Sequence, residues 1–160
     1  MSFEEIRVIT IVYLAVFLPL LIYFTNRSKL PTWIPSFYIV SIVVCALGWE
    51  LWFTYGWLDG DAVNIRRSEA LNTWLPKNIN WLMNSMGDAG AVLCGGVWLM
   101  WITHKKDPIV FKKWKWSAFS IFLIWCIGQN ILVEMFLYHD QLADDKLLSW
   151  APLSPFGPYF

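Results

Sequence analysis

The chain has 160 residues, 58% hydrophobic and 15% charged, with twelve tryptophans, a mean hydropathy of +0.48 and a formal net charge of zero. Soluble domains carry about 25% charged residues, so these values exclude a disordered chain, a nucleic-acid binder with a basic surface and an ordinary soluble enzyme domain. They point to an integral membrane protein, with room for four or five spanning helices and little outside the bilayer.

Residues 6–24 form the first apolar run. Glu4 and Glu5 precede it, Arg27 and Lys29 follow it, and no small-x-small cleavage site stands out, so it reads as a retained anchor and not a signal peptide. Residues 34–57, 79–103 and 116–138 form three more runs. Each is long enough for a hydrocarbon core of ~30 Å at 1.5 Å per residue. Lipid admits only helices and closed barrels, and alternating strands of ~10 residues are absent. The expectation is therefore an all-α integral membrane bundle of four transmembrane helices, forming one domain over residues 1–160. A fifth span beyond Phe160 is left open.

Between the first two runs lie Arg27 and Lys29. Between the third and fourth lie Lys105, Lys106, Lys112, Lys113 and Lys115 with a single acid, Asp107. The N-terminus, the loop 58–78 and the tail together hold five basic residues and eight acids. The positive-inside bias places the two basic loops in the cytoplasm and both termini outward. The membrane is the inner or plasma membrane in a bacterium, the endoplasmic reticulum in a eukaryote. Trp57, Trp74 and Trp150 near one set of ends, and Trp33, Trp98, Trp101, Trp114 and Trp116 near the other, form interfacial belts. In the loop 58–78, Ser68 with Leu71 and Trp74 predicts a short interfacial helix stopped by Pro76.

Three ionisable residues remain inside the spans: Glu50, Asp88 and Glu134. Each costs a few kcal/mol if ionised and facing lipid, so such residues face a bundle interior and mark a site. Counted from the helix ends they lie roughly 10, 13 and 6 Å deep, and three alternating spans bring them to one layer. Asn80, Asn84 and Asp88 recur every four residues on the third helix, continuing to Ala91 and Gly95; Asn130 and Glu134 do so on the fourth, beside Gln129. Gly87, Gly90, Gly95 and Gly96 allow close helix packing. The first helix carries no acid and reads as a lipid-facing support, with Tyr13 and Pro19 turned to the interior. Three acids crowded in a low dielectric do not all ionise, and a protonated carboxyl in an apolar pocket is a general acid. Trp49, Trp52, Trp81 and Trp125 lie too deep for the belts and offer π faces to a cation. Acids with aromatic walls suit carbocation chemistry on an isoprenoid or sterol.

The stretch Gly48-Trp49-Glu50-Leu51-Trp52-Phe53, with Trp81 and Asp88 on the next span, resembles the Trp-Glu and Trp…Asp pattern of integral-membrane terpene cyclases. One acid per helix, with Gly128-Gln129 and a carboxylate on the following span, resembles the emopamil-binding sterol isomerase group (the EXPERA fold). The resemblance covers about residues 45–140. It implies that Glu50 and Asp88 protonate a double bond or an epoxide, with Glu134 and Gln129 as polar partners. The sterol isomerases carry a His one turn before the first acid, where this chain has Ala46, and they have five spans.

The resulting expectation is a small isomerase- or cyclase-like enzyme with Glu50, Asp88 and Glu134 as catalytic acids. Trp49, Trp52, Trp81, Asn84, Trp125, Gln129 and Asn130 would bind a membrane lipid or lipophilic small molecule. The alternative is a non-catalytic subunit, its polar residues serving as interhelical glue, that packs against a larger membrane complex or holds a lipid or pigment for it. A cation pore would need a polar path past Val43, Val44, Phe122 and Leu123, which are apolar. No cofactor, metal or nucleic acid is expected: His104 and His139 lie at opposite ends, unsuited to a shared haem, although His139 with Asp140 and Glu134 could relay protons or hold a metal. Cys45, Cys94 and Cys126 read as small buried hydrophobes. The tail 149–160 holds Pro152, Pro155 and Pro158 among aromatics, which suits a lid over the pocket or a strap on a partner.

Overall fold

A computed structural model describes residues 1–56 and 60–146, with the His139 side chain set aside. Trp57, Trp150, the His139 side chain and the tail 149–160 lie outside the described residues. The described chain is helical, with no strand. Three helices are long and apolar enough to cross a membrane, or four if one bent pair is counted as a single span.

Helix α1 spans Phe3–Asn26. Ser2 and Glu5 form a reciprocal capping box at its start, satisfying two of the N–H groups that a helix N-terminus leaves without partners. The second run breaks in two, α2 (Ile34–Leu47) and α3 (Trp49–Tyr55), bent by 46° at Gly48. A Cβ at Gly48 would lie 2.8 Å from the Val44 carbonyl oxygen, a backbone atom that cannot give way. Between the second and third runs, α4 (Val63–Arg66) and α5 (Glu69–Trp74) cross the end of the bundle. Ser68 caps α5 through the Leu71 N–H, and the chain turns at Leu75-Pro76, as the sequence pattern predicts.

The third run is continuous over Lys77–Thr103 but not uniform. Helix α6 (Lys77–Gly87) passes into a π-helical segment, Asp88–Cys94, and then into α7 (Gly95–Thr103). Helix α8 covers Trp116–Phe136. The π segment is the centre of the bundle, packed by α1, α2 and α8. Where α1 meets it, Pro19 lacks the N–H that would bond the Ala15 carbonyl. A Cβ at Gly90 would lie 3.0 Å from Pro19 Cγ and 3.3 Å from that carbonyl. At Gly96 a Cβ would lie 2.7 Å from a ring carbon of Phe122, so the expected close packing of this helix through its small residues is present.

The alternating topology groups the loops by charge. The α1 N-terminus, α4, α5 and the 3-10 turn Tyr138–Gln141 meet at one end, joined by Ser68–Glu5, Arg7–Asp140 and an Ala143 N–H bond to the Arg66 carbonyl. At the other end the two basic loops meet: Trp33 stacks edge-on to Phe111, and Leu30 packs with Trp101, Val110 and Ala118. We call these the acidic and the basic end. The flanks of α1, α2 and α8 between them expose Leu14, Phe17, Val40, Val43, Ile124 and Leu132.

Candidate functional site

The break at Gly48 and the start of the π segment place two carboxylates side by side. Glu50 stands in the first turn of α3 and is 2% exposed. Thr54 Oγ1 donates to its Oε2 at 3.5 Å, and Asn84 reaches the same carboxylate from α6. Asp88 opens the π segment; the Trp49 indole N–H donates to its Oδ2 at 2.6 Å. Both acids line one cavity of about 110 Å³. Val8, Ile11, Val12 and Ala15 of α1 form one wall, and Gln129, Val133 and Leu137 another. Helix α1 is therefore not only a lipid-facing support: it supplies the apolar wall opposite the acids.

The stripe Asn80, Asn84, Asp88 and Ala91 faces this cavity as its spacing predicts, but Gly95 leaves it. The π segment closes i→i+5 bonds, with the Gly95 N–H donating to the Gly90 carbonyl, and the wider turn rotates Gly95 onto the Trp125 indole. Glu134 is half-buried and does not line the cavity; it stands one helical turn before Tyr138, close enough to act electrostatically on the Tyr138 hydroxyl along with Glu50 and Asp88. Gln129 is in the lining, whereas Asn130 is exposed and donates to the Cys126 carbonyl at 2.8 Å.

The deep tryptophans work through their N–H groups. Trp81 Nε1 donates at 2.8 Å to the Ala46 carbonyl, whose helical partner would be the Glu50 N–H had Gly48 not broken the run. Trp125 Nε1 donates at 3.0 Å to the Ala91 carbonyl inside the π segment. Trp49 binds Asp88. In an apolar surround an unpaired carbonyl costs about 1–3 kcal/mol, so these indoles stabilise the two irregularities that shape the site. None of Trp49, Trp52, Trp81 and Trp125 lines the cavity.

Two arginines that sequence reasoning counted as loop charges are buried here. Arg66 lies 3.9 Å above the Phe53 ring centroid and donates to the Phe53 carbonyl at 2.7 Å; Tyr138 stacks on the same ring with centroids 4.6 Å apart. Arg67 donates to Asn72 Oδ1 at 2.8 Å, to Asn80 Oδ1 at 2.9 Å and to the Leu75 carbonyl. Burial lowers their guanidinium groups to about 9 and about 10, so both stay charged at neutral pH. The signal was present: an adjacent Arg pair on the acid-rich side of the charge asymmetry is out of place for a solvated loop. Tyr138 and Gln141 were also missed. Gln141 lines both the cavity and a larger polar vestibule of about 530 Å³ at the acidic end, and so stands between them.

Among the described residues no three His, Cys, Asp or Glu side chains converge as metal ligands. His104 is engaged locally. One ring nitrogen lies 2.8 Å from the Met100 carbonyl, which accepts its proton, and the other lies 3.0 Å from the Ser117 hydroxyl. Compared with known proteins, the chain matches no family model, no curated protein and no solved structure.

Proposed function

We propose that this chain is an integral membrane enzyme that moves protons on a lipophilic, isoprenoid- or sterol-like substrate. The supporting observation is that Glu50 and Asp88, from separate elements, line one cavity whose facing wall on α1 is apolar. Like charges at short range in a low dielectric share a proton, which leaves one carboxyl as acid and its neighbour as base. The acid delivers its proton to one carbon of a double bond. The neighbouring carboxylate removes a proton from the adjacent carbon of the cation, and the double bond has moved with no co-reactant consumed. A cavity of about 110 Å³ is well below the ~300 Å³ of ordinary ligand pockets, so only the reacting end of a substrate fits. Helices α1 and α8 pack on the π segment yet barely touch one another, and the tail of the substrate lies between them, toward lipid.

Glu50→Gln and Asp88→Asn test this. The amides keep size and hydrogen bonding but deliver no proton. Turnover of an isoprenoid or sterol olefin by the reconstituted protein should fall ~10²–10⁴-fold, with the melting temperature held or raised. Unaltered turnover rejects the two acids as catalysts.

The small cavity also favours a second reading, a non-catalytic subunit whose polar residues hold its own helices together. In that case both amide variants remain functional, and the protein co-purifies with a membrane partner. For orientation we propose the basic end as cytoplasmic. A membrane-impermeant thiol reagent applied outside should label a cysteine placed at the exposed Asn64 and spare one at Ser28; the reverse pattern inverts the topology.

A further inference from the structure

The cavity holds a hydrogen-bond donor whose orientation is imposed from behind. Asn80 is 3% exposed and lines the cavity beside Glu50. Its Oδ1 accepts from Arg67, and a guanidinium only donates, so the amide cannot be flipped. Arg67 is in turn held by Asn72 and the Leu75 carbonyl. The Asn80 Nδ2 group therefore points away from Arg67, and it has no partner among the described residues. Buried donors left unpaired are rare and costly, about 1–3 kcal/mol each. The same cavity is lined by Glu50 and Asp88, whose carboxylates accept when ionised, and by Asn84, Gln129, Tyr138 and Gln141.

A group that completes this site must accept from Asn80 and donate to a carboxylate. A hydroxyl does both through one oxygen. A hydrocarbon does neither, and an ether or ketone only accepts. We infer that the cavity recognises a lipophile by a terminal hydroxyl group, seated between Asn80 Nδ2 and the Glu50–Asp88 pair, with its apolar body along Val8, Val12 and Ala15 of α1. This rests on the lipophile-handling function proposed above and narrows its substrate class to alcohols. The hydroxyl would anchor the substrate's reacting end at the carboxylate pair.

The test uses the full chain in lipid nanodiscs and three radiolabelled probes of one skeleton: farnesol, its methyl ether and the parent hydrocarbon. Binding is corrected with empty nanodiscs. Farnesol should bind at least ~10-fold more tightly than the hydrocarbon, with the ether between them, because two hydrogen bonds are at stake. Asn80→Asp retains the oxygen that Arg67 requires and replaces the N–H donor by an acceptor oxygen, with one added negative charge balanced by Arg67. In that variant the preference for farnesol over the hydrocarbon should shrink to less than ~3-fold. The wild-type series stands by itself if the variant does not fold. Equal binding of the three probes to the wild type overturns the hydroxyl inference and leaves a lipophile site standing. A preference that survives Asn80→Asp overturns the role given to Asn80. Failure of every probe to exceed empty nanodiscs overturns both this inference and the reading beneath it.

Discussion

The two ends of the bundle solve the same burial problem in opposite ways. At the basic end, loops meet through apolar side chains: Trp101, Val110 and Ala118 are buried together, and Lys105, Lys106, Lys112 and Lys113 are exposed. From the acidic end to the centre of the bundle, Glu50, Asn80, Arg66 and Arg67 are buried, and a broken helix and a π segment interrupt the backbone ladder. At each irregularity a tryptophan N–H donates to a backbone carbonyl, whereas Trp101 at the basic end has a buried Nε1 with no partner among the described residues. The contrast shows where the buried polar groups of the described residues are concentrated.

The strongest way to break this arrangement is at Arg67. Arg67→Met leaves two amide oxygens and the Leu75 carbonyl unpaired at once, and should cost about 3 kcal/mol or more, read as a large fall in melting temperature in detergent. Gly90→Val comes next: the side chain must displace Pro19 and the Ala15 carbonyl, and overpacking of this kind costs about 1–3 kcal/mol. Because α1 would be pushed off the π segment, the variant should also lose binding of a lipophile.

The indoles separate the two ends directly. Trp81→Phe and Trp125→Phe each abandon a carbonyl at an irregularity and should cost about 1–2 kcal/mol. Trp101→Phe, at the basic end, removes an indole N–H that has no partner in the described structure, so it loses only packing and part of a distant cation–π contact with Lys106, about 1 kcal/mol together. Thermal unfolding of the three variants side by side checks the ranking. If Trp101→Phe were as damaging as Trp81→Phe, the difference drawn between the ends would be wrong.

Much of the architecture is legible in the linear chain because the constraint is local. A run of apolar residues about 20 long, bounded by charges and Pro or Gly, has few alternatives to a spanning-length helix, and the four runs were read at nearly their observed limits. The pairing of the loops into an acidic and a basic end follows from alternation alone. Glu50, Asp88, Asn84 and Gln129 were found by the same logic, since polar residues at helical spacing inside an apolar run share a face.

Tertiary structure decided what lies beyond one helix. The bend at Gly48 and the π turn at Asp88–Cys94 change which residues face inward. Gly95 therefore left the stripe that its spacing had assigned it to, and α1 became a cavity wall although it carries no acid. Indoles that composition suggests as π surfaces became donors to backbone carbonyls at those irregularities. Arg66 and Arg67 look like solvated charges in the sequence; they are buried because Phe53, Asn72, Asn80 and the Leu75 carbonyl, folded back from neighbouring helices and turns, face them. Helical periodicity is a property of neighbours and survives in the sequence. The pairing of a buried polar group depends on what the fold brings opposite it, and that is written only in three dimensions.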